Sequence, residues 1–62
     1  MYRLYYSTTN CFHMEEFSKL DSAIIIANIK VKEGYLKYGD IHIVNESNEF
    51  VYESKQEKEG VN

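Results

Sequence analysis

Three side chains of this chain are of types that take part in metal binding or nucleophilic catalysis: Cys11, His13 and His42. A thiolate and an imidazole are both ligands of zinc, and together they can form a nucleophile and its base. If residues 11–17 form a strand, Cys11 and His13 lie on the same face of it. A structural zinc site needs four ligands, however, and the sequence contains no second pair at a suitable spacing. The sequence therefore predicts no metal site.

Other arrangements that support catalysis are also missing from the sequence. Glu15 and Glu16 are neighbours, and neighbouring residues of a strand point to opposite faces, so they cannot act as a paired acid and base. The three glycines are isolated from one another and form no phosphate-binding loop. A chain of 62 residues also has little room for a substrate cleft. We therefore expect a protein that is not an enzyme, with no catalytic residues and no cofactor.

The aromatic residues are numerous: the chain has six Tyr and three Phe, with no Trp and no Pro. A domain of this size buries only roughly 60% of the surface of its unfolded chain, so we expect some of these rings on the surface. Exposed Tyr side chains provide a large contact area at a low cost in conformational entropy. This composition indicates a protein that acts by binding another protein.

The composition also indicates where the protein acts. Cys11 is the only cysteine, so no disulfide can form within the chain. A free thiol without a recognisable signal peptide is typical of the reducing cytoplasm. The longest apolar run, residues 23–27, is far shorter than the roughly 20 residues that cross a membrane. We therefore expect a cytoplasmic protein without a membrane partner.

The charge is acidic overall and unevenly distributed. The formal net charge is −3, and residues 40–62 hold six acidic side chains against two lysines. Nothing resembles the basic stripe of a nucleic-acid-binding protein, so we expect no direct nucleic-acid binding. Glu46 and Glu49 lie in this acidic half, where they either meet a basic surface of a protein partner or only keep the chain in solution. A mimic of nucleic acid would need more carboxylates along one surface.

The first third of the chain favours strands. Residues 2–6 are rich in β-formers and predict a first strand, and residues 7–10 are a cluster of turn-forming residues. Residues 11–17 either return as a second strand or begin a longer helix. As a strand, Phe12 and Met14 lie on one face and His13 on the other, whereas the two adjacent glutamates suit a helix or an exposed edge better.

A helix is predicted next. Ser18 is placed to cap its first turn, with Asp21 completing a capping box, and Gly34 follows its last turn, where a left-handed residue ends many helices. Apolar residues recur at helical spacing and form one stripe: Leu20, Ala23, Ile24, Ala27 and Val31. The alternative is a strand, because apolar residues at 25, 27, 29 and 31 alternate with the residues at 26, 28, 30 and 32, and β-branched residues prefer strands. The two caps favour the helix.

The C-terminal part is predicted as a β-hairpin followed by a tail. Ile41–Val44 and residues 50–53 have the composition of short strands, and residues 45–49 between them are polar turn-formers. Residues 54–62 are mostly polar and show no apolar periodicity, so we expect a disordered tail. The folded domain then covers residues 1–53.

These elements predict an α+β fold of the order ββαββ, in which a small antiparallel sheet has one helix packed on one face. The face that the helix covers is expected to hold three apolar residues: Leu4, Ile41 and Ile43. The other face is expected to hold residues that alternate with these along the strands: Tyr5, His42, Val44 and either Phe50 with Tyr52 or Val51. An uncovered aromatic face is typical of an interaction site or an oligomer interface.

Part of the sequence resembles a recurring pattern in very small proteins from bacteriophages and their bacterial hosts. The matching parts are FSKLDSA at 17–23, Ala27, GDIHIV at 39–44, a polar turn, and FVYE at 50–53. One departure is Ser47 followed by Asn48, where Thr-Gly is usual. The resemblance implies an early accessory protein that binds a host protein and inhibits or redirects it, and it brings no catalytic residues.

The sequence thus predicts a small acidic protein-binding module. The residues expected to contact the partner are those of the uncovered face and of the acidic hairpin: Tyr5, His42, Val44, Glu46, Glu49, Phe50 and Tyr52. The alternative is a self-associating structural protein, whose aromatic face is buried in a homodimer without a separate target.

Overall fold

A computed structural model describes residues 1–55 of the chain. Residues 1–55 form four strands, one α-helix and one short 3-10 helix, in this order: β1 Tyr2–Ser7, β2 Phe12–Phe17, α1 Leu20–Lys32, the 3-10 helix Tyr35–Tyr38, β3 Ile41–Val44 and β4 Phe50–Ser54. The predicted tail, residues 54–62, lies outside the described residues apart from Ser54, which ends β4, and Lys55.

The four strands form one antiparallel sheet with the order β2-β1-β3-β4. The helix packs on one face of this sheet and contacts β1 and β3, the two central strands. This arrangement confirms the α+β class and the ββαββ order expected from the sequence. The 3-10 helix was not expected; it follows α1 and adds Tyr35 and Leu36 to the rim of the core.

The strand alternative is the correct one for the segment after the first turn. Phe12–Phe17 pairs along its whole length with β1, from Ser7 opposite Phe12 to Tyr2 opposite Phe17. The turn is closed by the N–H of Thr8, which donates to the carbonyl of Cys11 at 2.9 Å. The turn therefore spans residues 8–11, one position later than the sequence predicted.

The helix alternative is correct for Leu20–Lys32, but its start differs from the prediction. Lys19 is the N-cap and no side chain caps the helix, so the capping role predicted for Ser18 is wrong. The end agrees with the prediction, since Gly34 has a φ of 93° and its N–H donates to the carbonyl of Val31 at 3.0 Å. A left-handed residue here lets the chain leave the helix without strain.

The core lies between the helix and the covered face of the sheet. Leu4, Ile41 and Ile43 are fully buried, as predicted. They face Ala23 and Ala27, which are also fully buried and whose small side chains allow the helix backbone to approach the sheet closely. Within residues 1–55, α1 covers this face of the sheet, with the 3-10 helix at its rim.

A β-bulge near the start of β4 changes which face its residues occupy. Ile43 pairs with Tyr52 and Val44 pairs with Phe50, so Val51 is the extra residue of the bulge. Phe50 therefore lies on the uncovered face, whereas Tyr52 lies on the helix side and its hydroxyl donates to Asn28 Oδ1 at 3.0 Å. The expectation that Phe50 and Tyr52 share a face is wrong, because the bulge interrupts the alternation.

Candidate binding face of the sheet

The face of the sheet opposite the helix, called the open face below, is built from residues that alternate with the core residues. Directly paired residues of an antiparallel ladder point to the same side, so the register defines the members of this face. They come from all four strands: Arg3, Tyr5, Ser7, Phe12, Met14, Glu16, His42, Val44, Phe50 and Glu53. No element within residues 1–55 packs on this face.

Three rings form a stacked row across the middle of the open face. Tyr5 is paired with His42, and their ring centroids are 5.2 Å apart with an interplanar angle of 29°. His42 stacks in turn on Phe50, with centroids 4.6 Å apart and an angle of 12°. Stacked pairs of this kind hold rings in fixed orientations. The row therefore presents a preorganised surface rather than three independent side chains.

Two further apolar side chains extend the row toward β2. Met14 is paired with Tyr5 and is 47% exposed, and Phe12 is 79% exposed. Phe50, at the other end, is 60% exposed. A shallow groove of about 330 Å³ lies on this face, with Phe12, His42 and Phe50 among its lining residues. The five residues Tyr5, Phe12, Met14, His42 and Phe50 are called the apolar patch below.

Val44 was predicted as a contact residue, and it does lie on the open face. It is paired with Arg3 on one side and Phe50 on the other. Its side chain is only 5% exposed, so these longer neighbours leave it little surface for a partner. Its place in the sheet makes it a support for the patch.

Charged residues flank the apolar patch. Glu16 on β2 forms an ion pair with Arg3, with 3.9 Å between Arg3 Nε and Glu16 Oε2. Arg3 also donates from a guanidinium nitrogen to Asn48 Oδ1 at 3.1 Å. Glu53 lies on β4 opposite His42 and is exposed. Both edge strands of the open face therefore carry a carboxylate.

The loop between β3 and β4 is held by the side chain of Asn45. Its Oδ1 atom accepts hydrogen bonds from the N–H groups of Ser47 and Glu49 at 2.8 and 3.0 Å, and its Nδ2 atom donates a hydrogen bond to Glu49 Oε1 at 3.0 Å. Asn48 takes a φ of 62°, which Asn tolerates better than most residues. Glu49 thus helps to close the loop, in addition to any role toward a partner.

The carboxylate of Glu46 is tied to the start of β1. Its Oε2 atom lies 2.9 Å from the α-amino group of Met1, and the side chain is 77% exposed. The hydrogen bond from this ammonium group, together with its charge, lowers the pKa of Glu46. Glu46 and Glu49 therefore lie at one end of the sheet, beside the apolar patch and not within it.

The sequence prediction missed two residues of the patch, Phe12 and Met14, and included Tyr52, which lies on the helix side of the sheet. Phe12 and Met14 alternate with His13, so the sequence showed that they share a face of β2, but it did not show which face. Tyr52 was included because alternation places it with Phe50, and the bulge moves it to the helix side. The exposed helix residues Ile25 and Ile29 lie outside the patch.

The residues considered for metal binding or catalysis are distributed over different surfaces. His13 is on the helix side, where it stacks on Tyr6 with centroids 5.0 Å apart, whereas His42 is on the open face. Cys11 is an exposed free thiol just before β2. Within residues 1–55, no three His, Cys, Asp or Glu side chains come together as a metal site would require. The expected lack of enzymatic activity stays a prediction.

In the part of the chain that the structure describes, no helix combines the length and the apolar character needed to cross a membrane. No protein-family model, no curated protein and no solved structure matches this chain.

Proposed function

We propose that this protein is a small acidic binding module that docks onto another protein through the apolar patch of its open face. The supporting observation is the stacked row Tyr5–His42–Phe50, flanked by the exposed Phe12 and Met14, on a sheet face without a covering element in residues 1–55. Aromatic anchors held in fixed orientations are the residues that contribute most of the affinity at protein interfaces.

The charges around the patch support a partner of a particular kind. Glu16 and Glu53 flank the patch, and Glu46 and Glu49 lie at the end of the sheet beside it. Carboxylates in these positions oppose binding to nucleic-acid phosphates and to anionic lipid headgroups. They suit a protein surface that has an apolar centre with lysines or arginines around it.

The biological setting rests on the resemblance to bacteriophage-type accessory proteins. On that basis we propose that the partner is a bacterial host protein, which this protein inhibits or redirects in the host cytoplasm. The exposed free thiol of Cys11 suits a reducing compartment.

Capture from a host lysate with a tagged protein tests this function, provided that matched variants are compared. The patch variant carries Phe12→Ser and Phe50→Ser, and the control carries Ile25→Ser and Ile29→Ser. All four side chains are exposed apolar groups, so both variants remove exposed apolar surface without opening the core. A thermal melt of each variant checks that the fold is retained.

We expect the patch variant to lose the captured protein and the control to retain it. Loss of an aromatic anchor costs about 2 kcal/mol or more, which is roughly thirty-fold in affinity. The captured protein is then identified and its affinity measured with purified components. Equal capture by the patch variant and the unchanged protein would show that the open face is not the binding surface.

A further inference from the structure

The two edges of the sheet differ in regularity. β2 is an outer strand of six residues that pairs with β1 without interruption. β4, the other outer strand, contains the bulge at Val51. No strand within residues 1–55 pairs with the outer side of β2. A regular unpaired edge offers a row of backbone donors and acceptors for another strand, whereas a bulge disrupts such a row.

The backbone groups that β2 directs outward follow from the turn. The N–H of Thr8 donates to the carbonyl of Cys11, so these two residues form a hydrogen-bonded pair. Hydrogen-bonded and non-hydrogen-bonded pairs alternate along an antiparallel ladder. The outward N–H and C=O groups of β2 therefore belong to Phe12, Met14 and Glu16.

We propose that two copies of this protein associate through β2, with the two β2 strands antiparallel about a two-fold axis at Met14. Paired residues must lie on the same side of the joined sheet, so the axis, which runs between the two strands, is level with a residue and not with the peptide bond between two residues. An axis at Met14 pairs Phe12 with Glu16 of the second copy and His13 with Glu15 of the second copy. The product is one continuous sheet of eight strands.

The side chains of β2 favour this register over its neighbours. In the chosen register His13 of each copy lies opposite Glu15 of the other copy, which gives two such pairs related by the axis. Both are non-hydrogen-bonded pairs, in which the side chains lie close together. An axis at Glu15 would place the two copies of this carboxylate opposite each other, and like charges directly opposite are destabilising. An axis at His13 would pair only the first three residues of the strand.

Self-association through this edge leaves the apolar patch uncovered. The Met14 residues of the two copies lie opposite each other at the axis. The open faces of the two copies lie on the same side of the joined sheet and form one continuous surface. The inference does not rest on the proposed function, because it uses the strand edge and not the face. A dimer with no target and a monomer that binds its target are both measurable outcomes, so the two proposals can fail separately.

Sedimentation equilibrium over a range of protein concentrations is the first test. We expect masses that rise from the 7.3 kDa monomer toward twice that value. His13→Glu should weaken the dimer about tenfold, because it places carboxylates opposite each other in two symmetric pairs. Adding Glu15→Lys to this variant should restore association, since each pair then has opposite charges. A monomer mass at all concentrations would overturn the proposal.

Cross-linking tests the register. In a Cys11→Ser background, Met14→Cys places the two new thiols opposite each other, with Cα atoms about 5.5 Å apart, which suits a disulfide. Glu16→Cys is the matched control, because its two copies are offset by four residues, roughly 13 Å along the strands. With oxidised glutathione as oxidant, we expect a covalent dimer for Met14→Cys only. Equal cross-linking of both variants contradicts the register.

The same variants separate this dimer from one formed face to face. His13 lies on the helix side of the sheet, away from the open face, so a face-to-face dimer would be insensitive to His13→Glu. A Met14→Cys disulfide together with an unchanged dimer for His13→Glu would therefore reject the edge and assign the contact to the open face. Melts at low concentration confirm that each variant folds.

Discussion

The two faces of the sheet contain similar types of residue but differ in how far these residues are buried. On the helix side Leu4, Ile41 and Ile43 are completely buried, while on the open face Phe12 and Phe50 expose most of their surface. The difference comes from a single helix, which covers one face only. Whether an aromatic or aliphatic residue of the strands is buried or exposed therefore depends on its side of the sheet more than on its type, with Val44, which longer neighbours cover, as the exception on the open face.

A lysine covers aromatic rings on the helix side of the sheet, and this distinguishes them from the rings of the open face. Tyr6 is only 8% exposed and packs against Tyr35, with centroids 5.4 Å apart. The ammonium group of Lys30 lies 4.8 Å from the ring centre of Tyr6 and 5.4 Å from that of Tyr35. This lysine covers the rim of the core with its stem and charge. On the open face the stacked rings have no such cover from residues 1–55.

The largest expected effect is a difference in the free energy of unfolding between substitutions on the two faces of the sheet. Ile43→Ala removes a fully buried side chain from a central strand and should lower the free energy of unfolding by about 2–5 kcal/mol. Phe50→Ala, on the exposed side, should change it far less. Urea denaturation of both variants measures the difference. A loss of stability in Phe50→Ala as large as that in Ile43→Ala would mean that the open face is covered in solution.

The features of the fold that could be predicted from sequence are those set by local patterns. Alternation placed Ile41 and Ile43 on the buried side, and Gly34 marked the end of the helix because few other residues take a positive φ. The cap was not predictable in the same way. Ser18 is a good capping residue, but the backbone enters the helix one residue later, and a propensity does not determine that angle.

The candidate site was harder to predict because it depends on register. Phe12 and Met14 were missed because the sequence left open whether residues 11–17 form a strand or a helix, and only their pairing with Ser7 and Tyr5 assigns them to the open face. The position of Tyr52 depends on the bulge at Val51, and no residue of β4 marks a bulge in the sequence. Tyr5 and His42 were found, because they alternate with core residues in regular strands.

A smaller effect on stability is expected from a substitution of Tyr52, which the bulge places on the helix side. Tyr52→Phe removes the hydroxyl that donates to Asn28 and should lower the free energy of unfolding by about 0.5–1 kcal/mol. Capture of the partner should be unchanged, since Tyr52 faces away from the apolar patch. Urea denaturation and the capture experiment on this variant provide the two measurements. Lost capture with normal stability would place Tyr52 in the binding surface after all.

The smallest expected effect concerns the acidic end of the sheet. The Met1 ammonium group lowers the pKa of Glu46 in the folded state. A depressed folded-state pKa means that this interaction contributes stability above the unfolded pKa of the carboxyl group and loses it as the pH falls through the folded pKa. The side chain is highly exposed, so screening by water and salt keeps the contribution small.

Glu46→Gln and acetylation of the Met1 amino group each remove this same ion pair. Their effects on the melting temperature at neutral pH should therefore not add, and both differences from the unchanged protein should shrink in acid. Melts of the four combinations between neutral pH and about pH 3 measure this. Neither change touches the apolar patch, so target binding should weaken only if the carboxylate of Glu46 itself meets a basic group of the partner. Reduced capture by Glu46→Gln but not by the acetylated protein would assign Glu46 to the binding surface and extend that surface to the end of the sheet.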